Sequence, residues 1–245
     1  MAALIISVAS AQAQKSQVIA HRGYWKTAGS AQNSITALQK ADSIHCYGSE
    51  FDVWLAKDNK LVVNHDPVYK MKYMEYSKGD ALTGLKLSNG ENLPSLQKYL
   101  EAGKKCNTKL ILELKAHNSK KRETKAVQEI LAMVKKMGLE DRMEYITFSL
   151  HAMKEFIRLA PAGTSVFYLN GELSPKELKD LGAAGLDYHM GVIKKHPEWI
   201  KEAHDLGLKV NVWTVDKAED MKWLIDQKVD FITTNEPIVA QDMLK

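Results

Sequence analysis

Short runs of Val, Ile and Leu alternate with longer stretches of helical apolar spacing along almost the whole chain. The runs predict strands at 17–20, 48–53, 61–63, 110–114, 145–148, 165–169, 186–188, 209–213 and 231–233. The periodic stretches predict helices at 33–43, 95–101, 123–137, 151–159, 175–181, 197–206 and 218–227, with a last one from Pro237. Punctuation agrees with these bounds. Pro94 stands before one helix, Gly138 and Gly207 stop two others, and Ser174 opens a fourth as its cap. Strand and helix alternating in this way predict a parallel sheet with crossover helices. About eight such units in this length predict an α/β fold of the (β/α)8 TIM-barrel class. No glycine-rich dinucleotide fingerprint follows the first strand, which removes the main open-sheet competitor.

One region breaks the rhythm. Residues 67–93 carry Tyr69, Tyr73, Tyr76 and three glycines, and show no clear period. A long segment directly after the second strand region predicts a small lid-like insertion on the catalytic face, placed to touch a leaving group. The remainder, 15–245, reads as one domain without a linker. At 1–14 a short apolar run, Leu4 to Val8, leads into Ala9-Ser10-Ala11-Gln12-Ala13. Small residues at alternate positions predict a signal peptide or its remnant, and with it a secreted or bacterial periplasmic location. The run is too short to span a bilayer, so no transmembrane anchor is expected.

Composition narrows the function classes. Apolar content of 45% and charged content of 26% are ordinary for a globular protein. The net charge of +4 suits a small anionic substrate and is too mild to predict a nucleic-acid partner. Lys120-Lys121-Arg122, Lys135-Lys136 and Lys194-Lys195 read as solvated helix faces or ends. Two cysteines, Cys46 and Cys106, exclude a disulfide scaffold and a thiolate metal motif. Both precede strands expected to be neighbours, so one disulfide and two separate thiols are both open.

Charged residues stand where barrel strands should end: His21-Arg22 after the first, Glu50 and Asp52 at the end of the second, and Glu113 and Lys115 at the end of the next. Active sites of (β/α)8 barrels lie at that face. Residues at i and i+2 of a strand face the same side, so Glu50 and Asp52 act together. With Glu113 they make an oxygen-only site suited to one hard divalent cation, Mg2+ or Ca2+. Arg22 and Lys115 suit phosphate oxygens, as a planar fork and a point charge. His21 and His65 are the acid–base candidates for a phosphorus centre. His65 follows the extra extended piece at 61–63, which places it at the base of the insertion and makes it the group expected to move with substrate. His45, His151, His196 and His204 read as structural, and His117 and His189 have no evident partner.

Together these segments resemble the glycerophosphodiester phosphodiesterase family. The matching motifs are His21-Arg22-Gly23, Glu50-Phe51-Asp52, the Lys57-Asp58-Asn59-Lys60 turn, Val62-Val63-Asn64-His65-Asp66, Pro94-Ser95-Leu96, Glu113-Leu114-Lys115, Trp213-Thr214-Val215 and Thr234-Asn235-Glu236-Pro237. The match runs from about 17 to 240. It implies metal-dependent hydrolysis of glycerophosphodiesters to sn-glycerol 3-phosphate and an alcohol, with the histidine pair as general acid and base. It also gives Trp213 two readings, a face for the glycerol carbons or barrel core. Ala31-Gln32-Asn33 departs from the family's Pro-Glu-Asn, which puts a contact to Arg22 or the metal shell in question. Asn235 replaces the usual Asp, with a structural effect only expected. The alternatives are lysophospholipase D-like or other diester hydrolysis on the same barrel, and a non-catalytic glycerol-phosphate-binding barrel.

Overall fold

A computed structural model describes residues 15–245, so the signal segment expected at 1–14 lies outside the described residues. In chain order the elements are β1 (Gln17–Ala20), α1 (Ile35–Ser43), β2 (Gly48–Leu55), β3 (Leu61–Val63), β4 (Val68–Tyr69), β5 (Lys72–Tyr73), α2 (Gly79–Thr83), α3 (Leu96–Gly103), β6 (Lys109–Leu114), α4 (Lys120–Met137), β7 (Met143–Thr147), α5 (Leu150–Leu159), β8 (Ser165–Tyr168), α6 (Pro175–Leu181), β9 (Gly185–His189), α7 (Met190–Lys195), α8 (Glu198–Asp205), β10 (Lys209–Trp213), α9 (Ala218–Asp226), β11 (Phe231–Thr234) and α10 (Pro237–Met243). Strands β1, β2, β6, β7, β8, β9, β10 and β11 pair in parallel in that order. The last closes on the first, with Gln17 opposite Phe231 and Ala20 opposite Thr234. This is the eight-stranded barrel that the alternation predicts.

Two apolar layers hold it. The larger lies between strands and helices, where Phe51 stacks on Tyr99 at 4.3 Å and Tyr145 on Phe156 at 4.5 Å. The smaller fills the barrel interior with Ile19, Ile111, Ile146, Phe167, Leu169 and Phe231. Helix ends follow local chemistry. Ser174 and Glu177 form a reciprocal capping box, and Gly138 takes the left-handed conformation (φ +64°) that ends α4. Helix α4 begins at Lys120, earlier than its apolar spacing predicts, because the Ser119 hydroxyl accepts from the Arg122 N–H.

Strand β2 is longer than its apolar run predicts. Beyond the barrel rim, Val53 to Leu55 pairs antiparallel with β3. Glu50 and Asp52 therefore lie within β2 rather than at its end. They still sit above the end of β1, since Ala20 is opposite Ser49. The insertion is ordered around its own small core: Met74, Leu82, Leu87 and Leu93 pack on Trp54, Ala56, Val62 and Ala31. It escapes a periodicity reading because its elements are two to five residues long.

Arg122 is no solvated helix face. It donates from Nη2 to the Leu55 and Ala56 carbonyls at 2.9 and 2.7 Å, and from Nη1 to Asn59 Oδ1 at 2.8 Å. These bonds tie α4 to the β2–β3 hairpin that carries His65. Cys46 and Cys106 are both buried and unpaired, although β2 and β6 are neighbours as expected. No described helix is long and apolar enough to cross a membrane.

Candidate active site

The turn after β1 is tight. Gly23 has φ +76°, and a side chain there would meet the Cβ and backbone of Ala37 in α1 at under 3 Å. Arg22 is itself held in the left-handed region (φ +57°). That posture aims the Arg22 N–H at Glu50 Oε2, 2.7 Å away. The loop then returns through Asn33, also left-handed (φ +60°), whose N–H donates to the Arg22 carbonyl at 3.0 Å. So the His-Arg-Gly segment, the Gln32-Asn33 segment and β2 form one unit.

Three carboxylates meet inside it. Asp52 is opposite Glu113 in the β2–β6 register, and residues opposite one another share a face. Glu50, Asp52 and Glu113 are all buried, each with an oxygen within 4.8 Å of the other two. Asn33 clamps Asp52: its Nδ2 donates to Asp52 Oδ2 at 2.8 Å, and its Oδ1 accepts the Asp52 N–H at 3.0 Å. Lys115 Nζ lies 2.7 Å from Glu113 and 3.3 Å from Asp52, and Arg22 Nε lies 3.8 Å from Asp52. Arg22 Nη1 donates to Gln32 Oε1 at 2.7 Å, so the uncharged residue at 32 keeps its contact to Arg22.

Two cations do not neutralise this cluster. Burial, then Asp52 and Glu113, push the Glu50 carboxyl well above its ordinary value. Glu113 is pushed up to about 7 by burial and Asp52, against the pull of Lys115. Asp52 goes the other way. Burial alone would raise it, but Lys115, His65, Asn33 and Arg22 together hold it below its ordinary range. Glu50 Oε1 is buried and has no hydrogen-bond partner among the described residues. An all-oxygen donor set with like-charge strain and an orphaned carboxylate oxygen fits a hard divalent cation.

His21 and His65 line one small cavity with Arg22, Glu50, Glu113 and Trp213. His21 is lowered to about 4 by burial and then by Arg22. His65 is also lowered, chiefly by burial, against Asp52 and its own partner Asp66, whose Oδ1 lies 2.7 Å from Nδ1. His65 also borders a second cavity of about 410 Å³ between the turn after β1 and the insertion, with Trp25, Gln32, Asp66 and Tyr69. Trp213 belongs to the barrel core and also borders the cavity. It packs against the barrel interior cluster, donates from Nε1 to the Asp187 carbonyl at 2.9 Å, and lines the central cavity.

Several residues here carry no sequence signal of their own. His117 accepts the Leu55 N–H at 3.0 Å and bonds the Lys115 carbonyl at 2.7 Å, steadying both strand ends. Asp187 is buried in the cavity floor and raised well above its ordinary value, first by burial. Asn235 corrects an expectation. It is off the carboxylate cluster, but its Oδ1 lies 2.9 Å from His21 Nδ1. Two of its partners, His21 and Trp25, are more than 200 residues away in sequence.

The glycerophosphoryl diester phosphodiesterase family model matches residues 21–239. A curated glycerophosphodiester phosphodiesterase from Caldanaerobacter subterraneus is 28% identical, covering 91% of this chain and 95% of its own. Among solved structures, a glycerophosphodiester phosphodiesterase from Parabacteroides distasonis is 52% identical with a TM-score of 0.93, covering 94% of this chain and 97% of its own. An Oleispira antarctica phosphodiesterase, solved with its product sn-glycerol-3-phosphate, shares the fold at a TM-score of 0.80 and 22% identity, covering 94% and 96%. By motif, barrel and relatives alike, the chain belongs to the glycerophosphoryl diester phosphodiesterase family.

Proposed function

We propose that this chain hydrolyses glycerophosphodiesters to sn-glycerol 3-phosphate and an alcohol, using one divalent cation, Mg2+ or Ca2+, and the His21–His65 pair. The observation that carries the reading is three buried carboxylates meeting within 4.8 Å beside a cavity lined by both histidines. Glu50, Asp52 and Glu113 would hold the cation. When bound, it supplies Lewis-acid polarisation of a phosphate oxygen and offsets the cluster's charge.

The chain's own groups do the rest. Arg22 and Lys115 face the phosphoryl oxygens and offset the charge that builds there in the transition state. His21, held neutral at pH 7 by its low pKa, takes the proton from the attacking water or glycerol hydroxyl. His65 gives a proton to the leaving alkoxide. Its low pKa is an obstacle that an anionic diester relieves, because a nearby negative charge favours the protonated ring. Trp213 packs on the glycerol carbons. The alcohol leaves on the far side of His65, where the second cavity opens under the insertion. In this scheme the insertion is a cap over the leaving group, and His65 at its base is the group that moves.

Assaying sn-glycerol 3-phosphate and choline release from glycerophosphocholine with Mg2+ or Ca2+ tests this. His21→Ala and His65→Ala should each lower turnover by about 10²-fold or more. Wild-type turnover in either variant removes that histidine from the mechanism. No release from any glycerophosphodiester sinks the activity.

A further inference from the structure

Four side chains beside β1 form a hydrogen-bond chain that has only one allowed sense. Asp216, in the loop after β10, is a carboxylate and only accepts. Its Oδ1 takes the Asn235 N–H at 2.8 Å and the Thr234 hydroxyl at 3.2 Å. Its Oδ2 lies 2.8 Å from Asn235 Nδ2. The amide nitrogen of Asn235 must therefore face Asp216, and its oxygen must face away. Trp25 gives the same answer independently. Its indole Nε1 only donates, and it points at that amide oxygen from 2.9 Å. His21 Nδ1 lies 2.9 Å from the same oxygen. Opposite an acceptor, Nδ1 has to carry the ring proton, which leaves Nε2 bare.

We propose that Asn235, oriented by Asp216 and Trp25, is a positioning residue that locks His21 in the Nδ1–H tautomer and so makes Nε2 the proton acceptor of the reaction. This rests on the reading of His21 as general base. His65 has a different partner. Its Nδ1 meets the Asp66 carboxylate, which favours a charged ring more strongly than the uncharged amide oxygen behind His21 does. The partners thus divide the pair into base and acid. The charged or titratable groups facing His21 are Arg22, Asp52 and His65, with Glu50, Glu113 and Asp187 on the same cavity. Behind the relay, Lys26 lies 3.9 Å from Asp216 and is paired with Glu236 at 2.6 Å.

The amide at 235 also answers to Asp216. A carboxylate at 235 alone would put two acceptors 2.8 Å apart. Exchanging the pair, Asp216→Asn with Asn235→Asp, keeps a donor opposite an acceptor. The amide oxygen introduced at 216 would still take the backbone N–H of position 235 and the Thr234 hydroxyl. The exchange moves the negative charge one link closer to His21.

The test uses the metal-loaded enzyme with 15N-labelled histidine, His21→Ala assigning the resonances. The wild type should show His21 as the Nδ1–H tautomer. In Asn235→Ala the Nε2–H tautomer should appear, with kcat falling about 10- to 100-fold and KM changing less than about twofold. The exchanged double variant should keep the Nδ1–H tautomer and move the acid limb of the kcat/KM profile to higher pH. A wild-type Nε2–H tautomer overturns the relay, as does an Asn235→Ala enzyme with unchanged tautomer and kcat. An acid limb that stays put in the exchange overturns it too. Wild-type turnover in His21→Ala is a different failure, since it removes His21 as the base whatever its tautomer.

Discussion

Gly23→Ala puts a methyl group where the turn after β1 presses on α1. The new Cβ would lie 2.6 Å from the Ala37 Cβ, 2.7 Å from its carbonyl carbon and 2.9 Å from its oxygen. Two of these atoms are backbone, and the oxygen accepts the Tyr24 N–H at 3.0 Å, so the turn and the helix must separate. Left-handed backbone without glycine costs about 1 kcal/mol, and overpacking a close contact adds about 1–3 kcal/mol. The expected loss is then roughly 2–4 kcal/mol, measured as a shift of the urea midpoint at constant slope. Gly29→Ala is the control. Gly29 is also left-handed (φ +73°), but no described residue lies within 4 Å of its added Cβ, so only the backbone cost of about 1 kcal/mol applies. Ala37→Gly added to Gly23→Ala removes one of the three contacts and should restore little. Function should fall with stability, because the turn aims the Arg22 N–H at Glu50. A Gly23→Ala protein as stable as Gly29→Ala, with wild-type activity, would show that the turn and α1 are not in close contact.

Other outcomes follow from the same geometry. In chelated protein, the Glu113 carboxyl rises from its ordinary 4.5 to about 7 on folding. Between those values the unfolded chain gives up the proton while the folded chain keeps it. Stability from this group is therefore full below pH 4.5 and is lost as pH rises toward 7. At ~1.4 kcal/mol per unit the loss is on the order of 3 kcal/mol. Glu113→Gln removes it, so denaturation of the two proteins in EDTA at about pH 4.5 and about pH 7.5 should diverge by that amount; parallel pH dependences would contradict it. Asn33→Ala strips two hydrogen bonds from the buried Asp52 and should cost about 2–4 kcal/mol and weaken cation binding, read by denaturation and by metal titration. Unchanged affinity for the cation would show that Asp52 needs no clamp.

Much of this was legible in the chain because its signals are local. Strand runs, helix stops such as Gly138 and the i, i+2 spacing of Glu50 and Asp52 each depend on neighbours in sequence. The barrel then follows from alternation, and the barrel face from where the polar residues fall. Contacts closed only by the fold were not legible. Asn235 meets His21 across 214 positions, so its side chain carries no local mark of that duty. Arg122 sits in a basic run that reads as solvated, yet it reaches back to carbonyls at 55 and 56. The extension of β2 was hidden for a similar reason. Trp54 and Leu55 continue the apolar run, but what makes them strand is the antiparallel partner β3. In the insertion, no element runs beyond five residues, too few repeats for a period to show.

We propose that the three buried carboxylates hold a cation that diester hydrolysis needs. The direct measurement is sn-glycerol 3-phosphate release from glycerophosphocholine by protein stripped with EDTA, its metal content verified, and then titrated with Mg2+ or Ca2+. Stripped protein should release none, and recovery should saturate at one cation per chain, with Asp52→Asn failing to recover. Full release from verified metal-free protein would contradict it.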